Sequence, residues 1–203
     1  MAHEHDHDHH EHVHDEHEPE LTDAEARAEA ERLIRRDVAF AQIRQYGDPV
    51  LRMRAADVEE ADDELRRITE RMVGLMHDAE GVGLAATQVG ILRRFFVCTL
   101  EGDDRVLVNP VVTPVGEDTE VDQEGCLSLG PIRVPVERAA KVKVEATDET
   151  GEPVSLELEG TDARVVQHEL DHLDGTLIID RTTDEARKQA LAVLRPRPIL
   201  AGV

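Results

Sequence analysis

Aromatic side chains are nearly missing from this 203-residue chain. It has no Trp, and Phe40, Tyr46, Phe95 and Phe96 are the whole aromatic set. Any core must therefore be mostly aliphatic, although the length suffices for one domain to bury a substantial one. Cysteine is scarce too. Cys98 and Cys126 alone exclude a disulfide framework, and in a reducing compartment a cysteine near a histidine pair reads better as a ligand or catalytic group. No apolar run approaches the roughly 20 residues of a membrane span, and the N-terminus lacks the basic-then-apolar layout of a signal peptide. With 33% of its residues charged, the chain reads as a soluble, cytoplasmic protein. Basic residues are the last shortage. Against 45 Asp and Glu stand 23 Lys and Arg, a formal net charge of −22, which argues against direct nucleic-acid binding because that needs a basic footprint.

Much of the acid is at the start. Residues 1 to 20, "MAHEHDHDHHEHVHDEHEPE", hold eight acids without Lys or Arg, leaving about −14 on the rest, and eight of the eleven histidines. Almost nothing there can offset the entropy of ordering, so the composition predicts disorder. The segment reads either as a weak metal-chelating tail or as a merely solvated one with no catalytic part. Residues 21–203 then read as a single catalytic domain.

Thr22 with Glu25 three positions on forms a capping box, opening a helix over "TDAEARAEAERLIRRDVAFAQI". "QYGDPVLR" is a loop by its Gly-Asp-Pro chemistry. In "DDELRRITERMVGLMHDAEG", Leu65, Ile68, Met72, Leu75, Met76 and Ala79 share one helical face, and Gly81 or Gly83 is expected to end the helix. From about 91 to 160 the runs "RFFVCTL", "RVLVNPVV", "IRVPVER", "KVKVEATD" and "VSLELEG" read as short strands between Gly, Asp and Pro. Thr161 or Asp162 is expected to cap a further helix, and "TDEARKQALAVL" makes a last one from Thr183 or Asp184. Helices, then strands, then helices predict α+β architecture with antiparallel sheets around a central helix, flanked by N-terminal and C-terminal helices.

That central helix carries "VVQHELDHLDG", residues 165–175. His168 and His172 are spaced i, i+4, so one helix face can bring both imidazoles to one ion. Glu169 stands where it can hold a water on that ion, the H-E-x-x-H arrangement of metal-assisted hydrolysis. Two partly buried histidines satisfied by backbone carbonyls would read the same way, and Asp171 and Asp174 are either supports or solvated. A catalytic metal needs a third ligand and an open position. Downstream stand only Asp180, Asp184 and Glu185. Upstream, "QEGCLSLG" offers Cys126, a soft donor suited to iron(II), zinc, nickel or cobalt. Cys98, in a hydrophobic run, reads as core. The small-residue stretch "GVGLAATQVG" (81–90) lacks the Lys-Ser/Thr of a phosphate loop. It suits either tight helix–strand packing or close approach of backbone to a ligand, with Gln88 presenting an amide.

"GVGLAATQ", "EGCLS" and "QHELDHLDG", in that order and spacing, together resemble the three motifs of the peptide deformylases, over roughly residues 40–185. The resemblance implies removal of the formyl group from N-formylmethionine of newly made proteins. It further implies that Cys126, His168 and His172 hold one divalent metal, iron(II) in the cell, with zinc, nickel or cobalt as alternatives. By the same resemblance Glu169 is general base and then acid, Gln88 and the backbone N–H of Leu127 meet the oxyanion, and the backbone of Val82, Gly83 and Gly125 pairs with the peptide as an added strand. Arg133 falls where the family often has a peptide-contacting Arg. The expected partners are N-formylmethionyl nascent peptides and, transiently, the ribosome. The chain is expected to be a monomer.

Three departures stand out. Gly130 falls where the family often has Pro, which predicts a looser strand. Asp122 and Arg164 occur near the methionine pocket where apolar residues are expected, as an ion pair at its rim or pointing to solvent, so weak selection for Met is expected. Arg187, Lys188, Arg195 and Arg197 make the C-terminus locally basic, which suits a helix end complementing its dipole as well as ribosome contact. Two other functions compete. An H-E-x-x-H metallopeptidase is disfavoured by the missing downstream ligand. A non-enzymatic metal-binding protein has no need of Glu169 and Gln88.

Overall fold

The computed structural model describes residues 22–194. The His-rich segment and the basic residues Arg195 and Arg197 lie outside the described residues. Helix α1 spans Asp23–Phe40 and opens with the expected capping box: Thr22 Oγ1 accepts from Glu25 N–H at 3.3 Å, and Glu25 Oε2 accepts from Thr22 N–H at 2.8 Å. After a 3₁₀ turn at Pro49–Arg52, α2 runs over Asp63–Asp78, capped by Asp62. Its buried face is the predicted one, with Leu65, Met72, Met76 and Ala79 all nearly inaccessible. It ends earlier than expected. Ala79 is the C-cap, and Glu80, not a glycine, takes the left-handed turn at φ 58°. The bonds from Gly81 N–H to Met76 O (2.9 Å) and from Glu80 N–H to His77 O (2.9 Å) close it.

Seven strands follow: β1 Gly83–Ala85, β2 Phe95–Leu100, β3 Asp103–Pro114, β4 Thr119–Gly125, β5 Arg133–Ala139, β6 Lys141–Thr147 and β7 Pro153–Glu159. All the pairings among these strands are antiparallel. One sheet has the order β1-β2-β3-β6-β7, and β4 and β5 form a separate hairpin. The strand β2 is apolar on both faces and buried on both, whereas β6 alternates as a half-buried strand should. A register shift in β3 between Val108 and Val111 coincides with Asn109 at φ 50°. Asn109 uses it to clasp Val58 through Oδ1 and Nδ2, both at 2.9 Å.

Helix α3, Gly160–Leu173, packs against β1, β2, β3, β6 and β7 of the large sheet and against β5 of the hairpin. The fold thus mixes helices with antiparallel sheets, as the element order predicted. Neither Thr161 nor Asp162 caps it. Glu159 is the N-cap without a side-chain bond, and Asp162 instead accepts from Glu101 N–H at 3.1 Å. At the other end Gly175 is needed. It sits at φ +72°, and a methyl group there would lie 2.7 Å from Arg52 O. Short α4 (Ile178–Arg181) and α5 (Asp184–Leu194) close against β5. Among the described residues no helix is long and apolar enough to cross a membrane.

Candidate active site

Three structures converge on one place. Strand β1 and the 3₁₀ turn Ala86–Val89 supply Gly83 and Gln88, the turn after β4 supplies Cys126 and Leu127, and α3 supplies His168, Glu169 and His172. The convergence follows from packing. In β1 every residue is buried against α2, β2 and α3, while α3 faces both sheets, so the end of β4 and the middle of α3 are pressed together. A cleft of about 600 Å³ runs between them. Val82, Gly83, Gln88, Gly125, Cys126, Leu127, Arg133, His168 and Glu169 all line it, and His172, 1% exposed, is buried close by.

Cys126, His168 and His172 each offer one donor atom, and these atoms lie within 4.8 Å of one another. Cys126 Sγ is 3.2 Å from His172 Nε2. None of the downstream carboxylates Asp180, Asp184 and Glu185 joins this group. A thiolate with two imidazoles suits a borderline-soft divalent ion and leaves a tetrahedral position open. Burial lowers the pKa of both imidazoles. At His168 contacts with Cys126 and Glu124 reverse the effect and raise it well above the ordinary range, while His172, facing His168 and Arg138 as well, is held well below it. Gln88 is locked in place: its Oε1 accepts from Ala85 N–H at 2.8 Å, and its Nε2 reaches Ser128 Oγ at 3.1 Å and Cys126 Sγ at 3.8 Å.

Glu169 is 3% exposed, and its Oε2 has no hydrogen-bond partner among the described residues. Burial raises its pKa to about 7, the value at which a carboxyl can both take and return a proton near neutrality. Cys98 is a fully buried free thiol in β2, pushed up by burial, as a core cysteine should be.

A network of buried charges beside the site was not anticipated. Glu124, two residues before Cys126, accepts from His168 Nδ1 at 2.9 Å. Arg138 grips the same carboxylate through Nε (2.9 Å) and Nη2 (3.0 Å) and reaches Asp171 with Nη1 at 2.5 Å. Arg181 then closes on Asp171 at 2.6 Å. Burial would push the Glu124 carboxyl up, but bonds from His168 and Arg138 outweigh it and hold the pKa at about 2. The one cue along the chain is that Glu124 stands two residues before Cys126. Asp171 is therefore a buried bridge, while Asp174 pairs with Arg94 at 2.7 Å nearer the surface. Arg164 does not pair with Asp122. Its guanidinium binds Glu124 Oε1 and Val136 O (both 2.8 Å) and Glu120 O (2.9 Å). Residues 126–132 form turns instead of a looser strand, and Gly130 at φ +62° holds a conformation closed to Pro.

Hydrolysis assisted by a metal is the chemistry that such a donor set, beside a carboxyl poised near neutrality, is suited to perform, which places the chain among the metal-dependent hydrolases. A family model described as polypeptide deformylase matches residues 40–188. The chain is 49% identical over 146 residues to the peptide deformylase of Thermotoga sp. (strain RQ2), covering 72% of this chain and 89% of that protein. To the peptide deformylase of Chromohalobacter salexigens it is 42% identical over 158 residues, 76% and 93% of the two chains. The crystal structure of peptide deformylase from Thermotoga maritima superposes with a TM-score of 0.68 at 49% identity, over 70% of this chain and 96% of that one. That of a peptide deformylase from Synechococcus elongatus in complex with actinonin gives 0.71 at 42%, over 75% and 84%. The chain belongs to the polypeptide deformylase family.

Proposed function

We propose that this chain is a peptide deformylase, a metal-dependent hydrolase that removes the formyl group from the N-terminal N-formylmethionine of newly synthesised proteins and releases formate. The observation that carries the reading is the meeting of Cys126, His168 and His172 beside the buried carboxyl of Glu169, whose Oε2 has no partner among the described residues and which lines the same cleft as Cys126 and His168. Cys126, His168 and His172 would hold one divalent metal, with iron(II) as the cellular ion and zinc, nickel or cobalt as substitutes. Such an ion supplies a nucleophilic water at neutral pH by lowering its pKa from about 16 toward 7.

The remaining steps belong to the chain's own groups. Glu169 takes the proton of the attacking water and later returns it to the departing amine. Negative charge grows on the formyl oxygen, where the Gln88 amide and the Leu127 N–H stand as donors, each worth about 2.7–4 kcal/mol in such a role. The peptide lies as an added strand along Val82, Gly83 and Gly125, near Arg133. The reading further takes residues 1–20 as a segment outside catalysis, 21–203 as the catalytic domain, and the protein as a cytoplasmic monomer that meets its substrates at the ribosome.

Anaerobic purification with metal analysis and a formyl-Met-Ala-Ser assay tests it, with casein as the competing substrate. We expect formate release, about one metal per chain and no casein cleavage, with Glu169→Gln keeping the metal and losing turnover by about 10²–10⁴-fold. Unchanged turnover in Glu169→Gln refutes the assignment of the base, and casein cleavage without formate release refutes the function.

A further inference from the structure

Helix α1 lies almost wholly outside the region that matches the family model, which begins at residue 40. It contributes little to the core, since Ala39 is its one buried residue. Yet it is tied to the cleft. Arg32 pairs with Glu80, and Arg36 Nε lies 3.4 Å from the other Glu80 oxygen. The Arg36 guanidinium sits over the Phe40 ring, 5.4 Å from its centroid. Arg36 and Phe40 line the same cleft as Glu169, beside Glu80, Gly81 and Val82.

We propose that α1 is an added wall of the substrate cleft, on which Arg36 and Phe40 contact the third and later residues of the formylated peptide. The inference rests on the deformylase reading above. Gly83 abuts Glu169 so closely that a methyl group on it would lie 2.8 Å from the carboxyl carbon, so the reacting end of the peptide belongs there. Among the described residues β1 pairs only with β2, and Gly83 at its start lines the cleft with Val82 and Gly81. The chain continues backwards through Val82 and Gly81 to Glu80, where α1 is tethered. A peptide laid along it advances about 3.3 Å per residue, so two or three residues beyond the methionine it is about 7–10 Å on, beside Arg36. Phe40 offers such a peptide an apolar face, and Arg36 offers donors to its carbonyls. Both contacts tolerate varied side chains, as a nascent-chain binder requires.

The test compares kcat/KM on formyl-Met-Ala and formyl-Met-Ala-Ser-Leu for the full-length enzyme, Arg36→Ala and Arg27→Ala. In Arg36→Ala the ratio of longer to shorter substrate should fall about tenfold, a change of about 1.4 kcal/mol, carried by KM on the longer peptide. Arg27→Ala, on the same helix but away from the cleft, should keep the ratio. Equal losses on both peptides, or a loss confined to kcat, would reduce α1 to a structural element and overturn the inference, as would an unmoved ratio in an active enzyme. If the unaltered protein hydrolyses neither peptide, it is the deformylase reading that fails.

Discussion

Glu124 holds His168 and Arg138 at once: His168 Nδ1 lies 2.9 Å from one carboxylate oxygen, and Arg138 grips both. The carboxylate thereby orients the imidazole and leaves the other ring nitrogen for a metal. Such partners typically matter about 10–100-fold for metal affinity. Glu124→Gln should therefore weaken metal retention by about that factor, read by competition with a chelator. Equal retention would show that ring packing alone orients His168.

Gly83 should tolerate no side chain. Its φ lies outside the left-handed region, but a methyl group would lie 2.8 Å from Glu169 Cδ and 2.9 Å from Cγ. Because Glu169 is buried on α3, it cannot simply swing into solvent. Gly83→Ala should cost about 10²-fold in kcat, as a misplacement of about 1 Å does, while thermal stability falls little. Full activity would mean that Glu169 has room to move.

Arg138 is 6% exposed and bridges Glu124 and Asp171. Arg138→Ala would leave two buried carboxylates without their shared partner. The expected cost is about 3–5 kcal/mol of unfolding free energy, measured by urea denaturation. A loss under 1 kcal/mol, roughly the scale of a surface pair, would mean that Arg164 and Arg181 take over the charge.

Asp180 gives a pH signature away from the metal donors. Burial would raise its pKa, but Arg52, the Leu177 N–H at 2.9 Å and Arg187 lower it below its ordinary 3.8. A depressed folded-state pKa adds stability above the unfolded value, and that stability is lost as pH falls through the folded one. Asp180→Asn should therefore be destabilising at pH 7, by about 1 kcal/mol for bonds to a charged group that is partly exposed. The gap from the unaltered protein should shrink as the pH drops below 3.8. Urea midpoints that keep a constant gap down to pH 2 would contradict it.

Arg164 and Asp122 line the cleft, and on the deformylase reading they are expected near the methionine side chain. Arg164 is pinned by Glu124, Val136 and Glu120 and cannot fold away. We expect weak selection, with kcat/KM for formyl-Met peptides only about tenfold above formyl-Leu or formyl-Nle, the low end of what one hydrophobic pocket supplies. A preference beyond about 200-fold would exclude this.

Much of this molecule is legible along the chain because its cues are local. The capping box at Thr22, the apolar face of α2 and the alternation of β6 each follow from periods of 3.6 or 2 within a few residues. Strand β4 is hidden because it is charged and almost wholly exposed, with only Glu124 turned inward. Strand β1 is hidden because three residues, Gly83, Leu84 and Ala85, are too few to show a period. The end of α2 and the start of α3 differ from the sequence expectation because Glu80 accepts a left-handed turn and Glu159 caps without a side-chain bond.

By itself the sequence determined the chemistry that could occur: two imidazoles one helical turn apart, a carboxyl beside the first, and one thiol in a turn-rich segment. Only the tertiary structure decided which distant groups serve them. The Glu124–His168 bond spans 44 positions and the Arg138–Asp171 bond 33. Those pairings arise where a hairpin and a helix are pressed together, and the burial that raises Glu169 to about 7 exists only once that packing has formed.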